Sequence, residues 1–112
     1  PASGRPHPRL YGTYARIIQR FVGERRDMML EAAVKAMTYT PAKALNIADR
    51  GLLKEGLCAD VNVFDPAEVK ERGSYADPDK CAAGMDYVFV NGKPAIAAGE
   101  LTGGAFGQVI RR

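Results

Sequence analysis

Histidine is almost absent from this chain, with His7 the single imidazole among 112 residues. Cysteine is scarce too, represented by Cys58 and Cys81 alone. Structural zinc takes four Cys or His ligands, and the chain offers three such residues in total, so no metal is expected in it. Two cysteines far apart in sequence do not make a disulfide scaffold. Free, partly buried thiols in a reducing cytoplasm are the expected state. No run of about 18 apolar residues exists to span a membrane, and the opening residues show no signal-peptide pattern. Charge of one sign is also modest, at a formal net +3. Its distribution is less even, since Arg5, Arg9, Arg16, Arg20, Arg25 and Arg26 precede residue 27 with only Glu24 among them. Such clusters occur in nucleic-acid binders. The interleaved aromatics that stack bases are missing, however, and a solvated helix face with one functional arginine explains the cluster.

What is present describes a globular chain. Apolar residues make up 46% and charged residues 26%, which sets it apart from disordered sequences. Its length allows one domain with a modest core. Pro1, Gly4, Pro6 and Pro8 predict an extended approach. Thr13 then offers an N-cap, and Tyr14, Ile17, Ile18, Phe21 and Val22 form one apolar helical stripe that Gly23 closes. A second helix is predicted over 29–38 from Leu30, Ala33, Val34 and Met37, with Glu31 and Lys35 paired outside and Asp27 able to cap. Met28, Met29 and Met37 are expected to fill the core. Thr40-Pro41 starts a short third helix over Ala42 to Asn46.

Beyond Gly51 the period changes. Asp60 to Asp65 reads as a strand with Val61 and Val63 on one face and Asn62 and Phe64 on the other, stopped by Pro66. Residues 67–84, which include Asp77-Pro78, read as a loop that is mobile or crosses a neighbouring domain. Asn91-Gly92 between Tyr87–Val90 and Pro94–Ile96 is the strongest local signal, a hairpin whose turn residues both accept positive φ. Gly99, Gly103, Gly104 and Gly107 mark turns, and Val109-Ile110 can add an edge strand. Helices followed by strands give an α+β order. So few strands with one apolar face need another surface to cover them.

Nearly the whole chain resembles one family. His7-Pro8-Arg9 with Gly12-Thr13, Met37-Thr38 with Thr40-Pro41-Ala42, and Asp49-Arg50-Gly51 through Asp65-Pro66 carry the likeness. So do Tyr87-Val88-Phe89-Val90-Asn91-Gly92 and Leu101-Thr102-Gly103. The Gly-Xaa-Ala-Asp region is shared by many amidohydrolases, whereas His-Pro-Arg followed by Gly-Thr resembles the N-acyl-D-amino-acid deacylases. That resemblance implies the C-terminal segment of a zinc hydrolase built on a (β/α)8 barrel beside a small β-sandwich. Residues 1–50 would be the terminal loop and helices of the barrel, and residues 51–112 the C-terminal part of the small β domain. In that family zinc polarises the amide carbonyl and delivers hydroxide while an aspartate protonates the leaving amine. None of the metal ligands maps to this chain, and the aspartate would fall just before Pro1. The sequence, which does not begin with methionine, therefore reads as a piece of an enzyme. Arg9 is the one site residue the resemblance transfers: it would hold the substrate α-carboxylate, a role suited to a planar, always-charged fork.

Other residues have plainer readings. His7 could act as acid or base but stands between prolines as a structural loop residue. Asp60 and Asp65 could pair as carboxylates, yet turn and backbone hydrogen bonds account for both. Asn62 occupies a position where the family's strands hold an apolar residue. Three functions follow in order. The first is a C-terminal deacylase fragment, inactive alone and partnered by the missing barrel and N-terminal strands. The second is a stand-alone module derived from an amidohydrolase, which self-associates or binds another protein. The third is a basic nucleic-acid binder whose binding would depend on salt; neither nucleic acid nor membrane is expected as a partner.

Overall fold

The computed structural model describes residue 7, residues 9–74, residue 76 and residues 81–111, with residues 9–11 described by backbone alone. The proline-rich opening and the Asp77-Pro78 step lie outside the described residues. The order is α1 (Arg9–Arg16), a π-helical continuation (Ile17–Glu24), α2 (Leu30–Met37), α3 (Tyr39–Ala44), then β1 (Val61–Phe64), β2 (Met85–Val90), β3 (Lys93–Ala97) and β4 (Glu100–Leu101). The α+β expectation holds in this form.

The first helix corrects the sequence reading. It starts at Arg9 and passes through Thr13, so Thr13 does not cap it. Gly12 is buried where the Glu71 side chain lies against it; a Cβ there would stand 2.7 Å from Glu71 Cγ. A tertiary contact thus carries the helix through its glycine. From Ile17 the turns widen, as in the Arg25 N–H bond to the Arg20 carbonyl at 2.7 Å, and the i→i+5 period rotates the apolar stripe. Ala15 and Ile18 are buried, whereas Tyr14, expected on the stripe, is 66% exposed.

α2 falls inside its predicted range, with Ala33 buried. Its N-cap position is held by Met29 without a side-chain bond; Asp27 instead pairs with Arg25 at 2.8 Å. Met28 and Met29 are exposed, and of the three methionines expected inside, Met37 alone packs on the core. α3 begins ahead of Thr40-Pro41, and the Thr38 hydroxyl donates back to the Val34 carbonyl at 2.7 Å. Pro41 sits in the first turn, where its missing N–H costs nothing. Asn46, at φ 56°, ends the segment.

The strands form an antiparallel meander in the order β1-β2-β3-β4. Val61 faces Phe89 and Val63 faces Tyr87, after which the register slips so that Phe64 meets Met85. That bulge turns Phe64 and Met85 toward the helices, where they pack around Ala15, Ile18 and Val69. β4, at Glu100–Leu101, is the terminal strand, and Val109-Ile110 form none. The stretch read as an excursion is instead pinned at its start: Val69 is 1% exposed, and Lys70 and Ala83 exchange backbone hydrogen bonds at 3.0 and 2.9 Å.

The core is thin. The chain exposes 8451 Å², whereas a folded monomer of its mass exposes about 6,000 Å². Among the described residues Val63 and Tyr87 stay 47% and 39% exposed on one sheet face, where Tyr87 stacks parallel to Phe89.

Candidate functional site

The candidate site residue Arg9 is the first residue of α1. Its side chain lies outside the described residues. What surrounds its helix is clear. Glu71, against Gly12, accepts from Arg16 Nη1 at 3.3 Å, and the Glu71 N–H donates to Gln19 Oε1 at 2.8 Å. The loop after β1 is therefore strapped along α1, fixing the start of the helix relative to the sheet. His7 stands ahead of α1 and is exposed.

A second constellation gathers residues that the sequence scatters. The Arg50 guanidinium is largely buried and spends every edge on a partner. Nε donates to Asp60 Oδ2 at 3.0 Å, Nη1 to both Asp49 oxygens at 3.2 Å, and Nη2 to Asn91 Oδ1 at 3.1 Å. Asp60 Oδ1 then accepts the Asn91 N–H at 2.8 Å, and Asn91 Nδ2 donates to the Phe106 carbonyl at 2.7 Å. The Gly92 N–H donates to the Ala59 carbonyl at 2.8 Å. One fork thus ties the exit from the helices, the approach to β1, the β2–β3 turn and the C-terminal tail. Asn91 and Gly92 have φ of 51° and 78°, the pair of positive values that a two-residue turn of this twist needs. Gly51 follows Arg50 at φ 94°, where a Cβ would meet that of Ala42 at 2.9 Å.

The charges of this clasp are mutually set. The Cys58 thiol donates to Asp49 Oδ2 at 3.3 Å. That bond, against partial burial and with help from Arg50, holds the Asp49 carboxyl below its ordinary range. The same bond, with burial, pushes the Cys58 thiol up. Burial pulls the Arg50 guanidinium down, but its bond to Asp60 and the negative charge around it outweigh this, so it stays cationic.

Among the described residues, no cluster of three or more His, Cys, Asp or Glu side chains could hold a metal. Asp60 and Asp65 do not converge: Asp65 Oδ1 accepts the Ala67 N–H at 2.9 Å, while Asp60 serves the clasp. Both therefore make the turn and backbone bonds expected of them. Cys58 is half-buried and Cys81 exposed, both unbridged. Arg50 and Asn91 as one unit were missed in the sequence. The available signal was an arginine between an aspartate and a glycine at the exit from the helices.

The amidohydrolase family profile matches residues 3–96. An N-acyl-D-glutamate deacylase of Alcaligenes xylosoxydans xylosoxydans is 45% identical over 92 residues, covering 82% of this chain and 19% of that protein. A D-aminoacylase of the same organism is 39% identical over 112 residues, all of this chain and 23% of the relative. The crystal structure of N-acyl-D-glutamate deacylase from Bordetella bronchiseptica, complexed with zinc and a phosphonate mimic of the tetrahedral intermediate, superposes with a TM-score of 0.87 at 42% identity. That match covers 96% of this chain and 23% of the other. The chain spans about a fifth of the length of these relatives.

Proposed function

The chain belongs to the amidohydrolase family, and from that premise we propose that it is the C-terminal part of a zinc hydrolase that removes the acyl group from N-acyl-D-amino acids. The observation carrying this is 42% identity at a TM-score of 0.87, over 96% of the chain, to a zinc-bound N-acyl-D-glutamate deacylase. Residues 1–50 supply the terminal loop and helices of the barrel, and residues 51–112 the C-terminal part of the small β-sandwich. The setting is a reducing cytoplasm, where Cys58 and Cys81 persist as thiols. On this reading zinc is held by the remainder of the parent protein, and no step of hydrolysis runs through the groups of this chain. The part this chain plays is to bind. Arg9 opens the first helix and pairs its guanidinium with the substrate α-carboxylate. Arg9→Ala in the longer enzyme is expected to raise KM, by the roughly 1.5–3 kcal/mol a charge-assisted bond contributes.

The partner of the uncovered surface is the rest of that polypeptide. The area exposed beyond that of a typical monomer matches a large obligate interface. Val63 and Tyr87 mark the sheet face, and β1 offers an unpaired edge for further strands. By itself the chain hydrolyses nothing.

The test has two parts. The mass of the cellular polypeptide bearing this sequence is measured, and D-amino acid release from N-acetyl-D-amino acids is assayed for it and for the 112-residue chain. A large polypeptide whose activity a chelator abolishes, beside an inactive short chain, is the expected result. Release by the short chain alone overturns its inactivity. A cellular product of only 12.1 kDa that sediments as a dimer replaces the deacylase reading with a self-associating module.

A further inference from the structure

We propose that Asn91-Gly92 is a latent site of spontaneous amide modification, held closed by the Arg50 clasp. The proposal stands whatever reaction the longer protein performs. Asparagine followed by glycine is prone to cyclise, because no side chain on the following residue hinders its backbone nitrogen. The deprotonated nitrogen of Gly92 attacks Cγ of Asn91. A nitrogen–carbon bond forms, the Cγ–Nδ2 bond breaks, and the amide leaves as ammonia with the proton it gains. Water then opens the cyclic imide at either carbonyl, leaving an aspartyl or an isoaspartyl residue at position 91. No oxidant or reductant is involved.

In the folded chain every participant is tied down. Oδ1 of Asn91 accepts from Arg50 at 3.1 Å and Nδ2 donates to the Phe106 carbonyl at 2.7 Å. The attacking nitrogen of Gly92 is itself a donor to the Ala59 carbonyl at 2.8 Å. Cyclisation must break all three bonds and move the Asn91 backbone out of its φ of 51°. Gly92 is exposed, so the water needed for ring opening is at hand once the clasp lets go.

The product cannot return to the same structure. A carboxylate at 91 has no hydrogen to give the Phe106 carbonyl, and it adds a third negative group, beside Asp49 and Asp60, around one guanidinium. The isoaspartyl form inserts a methylene into a two-residue turn that tolerates none. Opening of the clasp is thereby converted into a permanent loosening of the β2–β3 hairpin and its tail.

The experiment is peptide mapping by mass spectrometry after incubation at mildly alkaline pH, in native buffer and in denaturing urea. Loss of ammonia at Asn91 is expected roughly a hundredfold slower in the folded chain, the factor three net hydrogen bonds impose. Equal rates in the two conditions overturn the proposal. Arg50→Met removes one anchor and is expected to raise the native rate about tenfold, with circular dichroism reporting whether the fold survives. Should that variant unfold, a chain ending at Gly104 removes the tail that carries the Phe106 carbonyl and leaves Arg50 in place, and it is expected to show the same rise. An unchanged native rate in the variant that folds also overturns it.

Discussion

The helices and the sheet of this small chain are held by different means. Among the described residues, four of the five buried apolar side chains, Ala15, Ile18, Ala33 and Ala42, lie in the helical part. The fifth, Val69, is in the loop between β1 and β2, and no strand residue is fully buried. Small alanines let the helices approach closely while giving little apolar area. The sheet relies on turn chemistry and on Arg50, which set its register without covering its faces. A register can thus be specified by polar and backbone geometry alone, whereas stability requires burial that this chain only partly achieves.

The joint between the two halves is the place to break the comparison. Gly51 passes under α3 at φ 94°, with Ala42 Cβ, the Thr38 carbonyl and Tyr39 Cα crowding the space of a side chain. Gly51→Ala adds left-handed backbone strain to a steric clash and is expected to cost roughly 2–4 kcal/mol. Chemical denaturation followed by circular dichroism reads it. Val69 is the next strongest link, since among the described residues it is the one fully buried loop side chain in the shared core. Val69→Ala is expected to lose about 2 kcal/mol, and hydrogen exchange should quicken in both halves together. Faster exchange in the sheet alone would show that the halves are not coupled through Val69.

The difference between the halves also explains what could be read from sequence. The hairpin at Asn91-Gly92 and the alternation of Val61 to Phe64 were legible because each is decided by neighbouring residues. The start of α1 was not, since the contact that carries the helix past Gly12 comes from Glu71, and Gln19 is bonded to that same residue from 52 positions away. Nor were the widening of the helix from Ile17 and the exposure of Tyr14. Arg50 and Asn91 stand 41 positions apart, and neither side chain hints at the other until the chain folds. The role proposed for Arg9 rests on resemblance to a family alone, because substrate binding leaves no periodic trace in a sequence.

The clasp should respond to pH at both ends of the scale. Asp49 titrates in the folded chain below its unfolded value of 3.8. The unfolded state therefore binds more protons in the interval between the two values, and stability is lost as pH falls through it. Cys58 titrates above its unfolded value of 9.0. Its contribution is full below 9.0 and is lost as pH rises through the folded value. Cys58→Ala should flatten the alkaline limb and weaken the acid one, because one hydrogen bond underlies both. Melting curves across pH check this, and an unchanged alkaline limb would place the titration elsewhere.

The smallest expected effect is the most discriminating. Val63 lies on a sheet face that the described residues leave half exposed. In the chain alone Val63→Ser removes little buried area and should change stability by no more than about 0.5 kcal/mol. In the longer polypeptide, where the remaining strands would close over that face, the same change puts a hydroxyl into an apolar contact and should cost about 1–3 kcal/mol. A near-zero effect in both settings would leave the face open to water in the whole protein. A large effect in the short chain would instead mean that copies of the chain cover one another, and the contrast between a helical half with buried side chains and a sheet without them would have to be redrawn around a dimer.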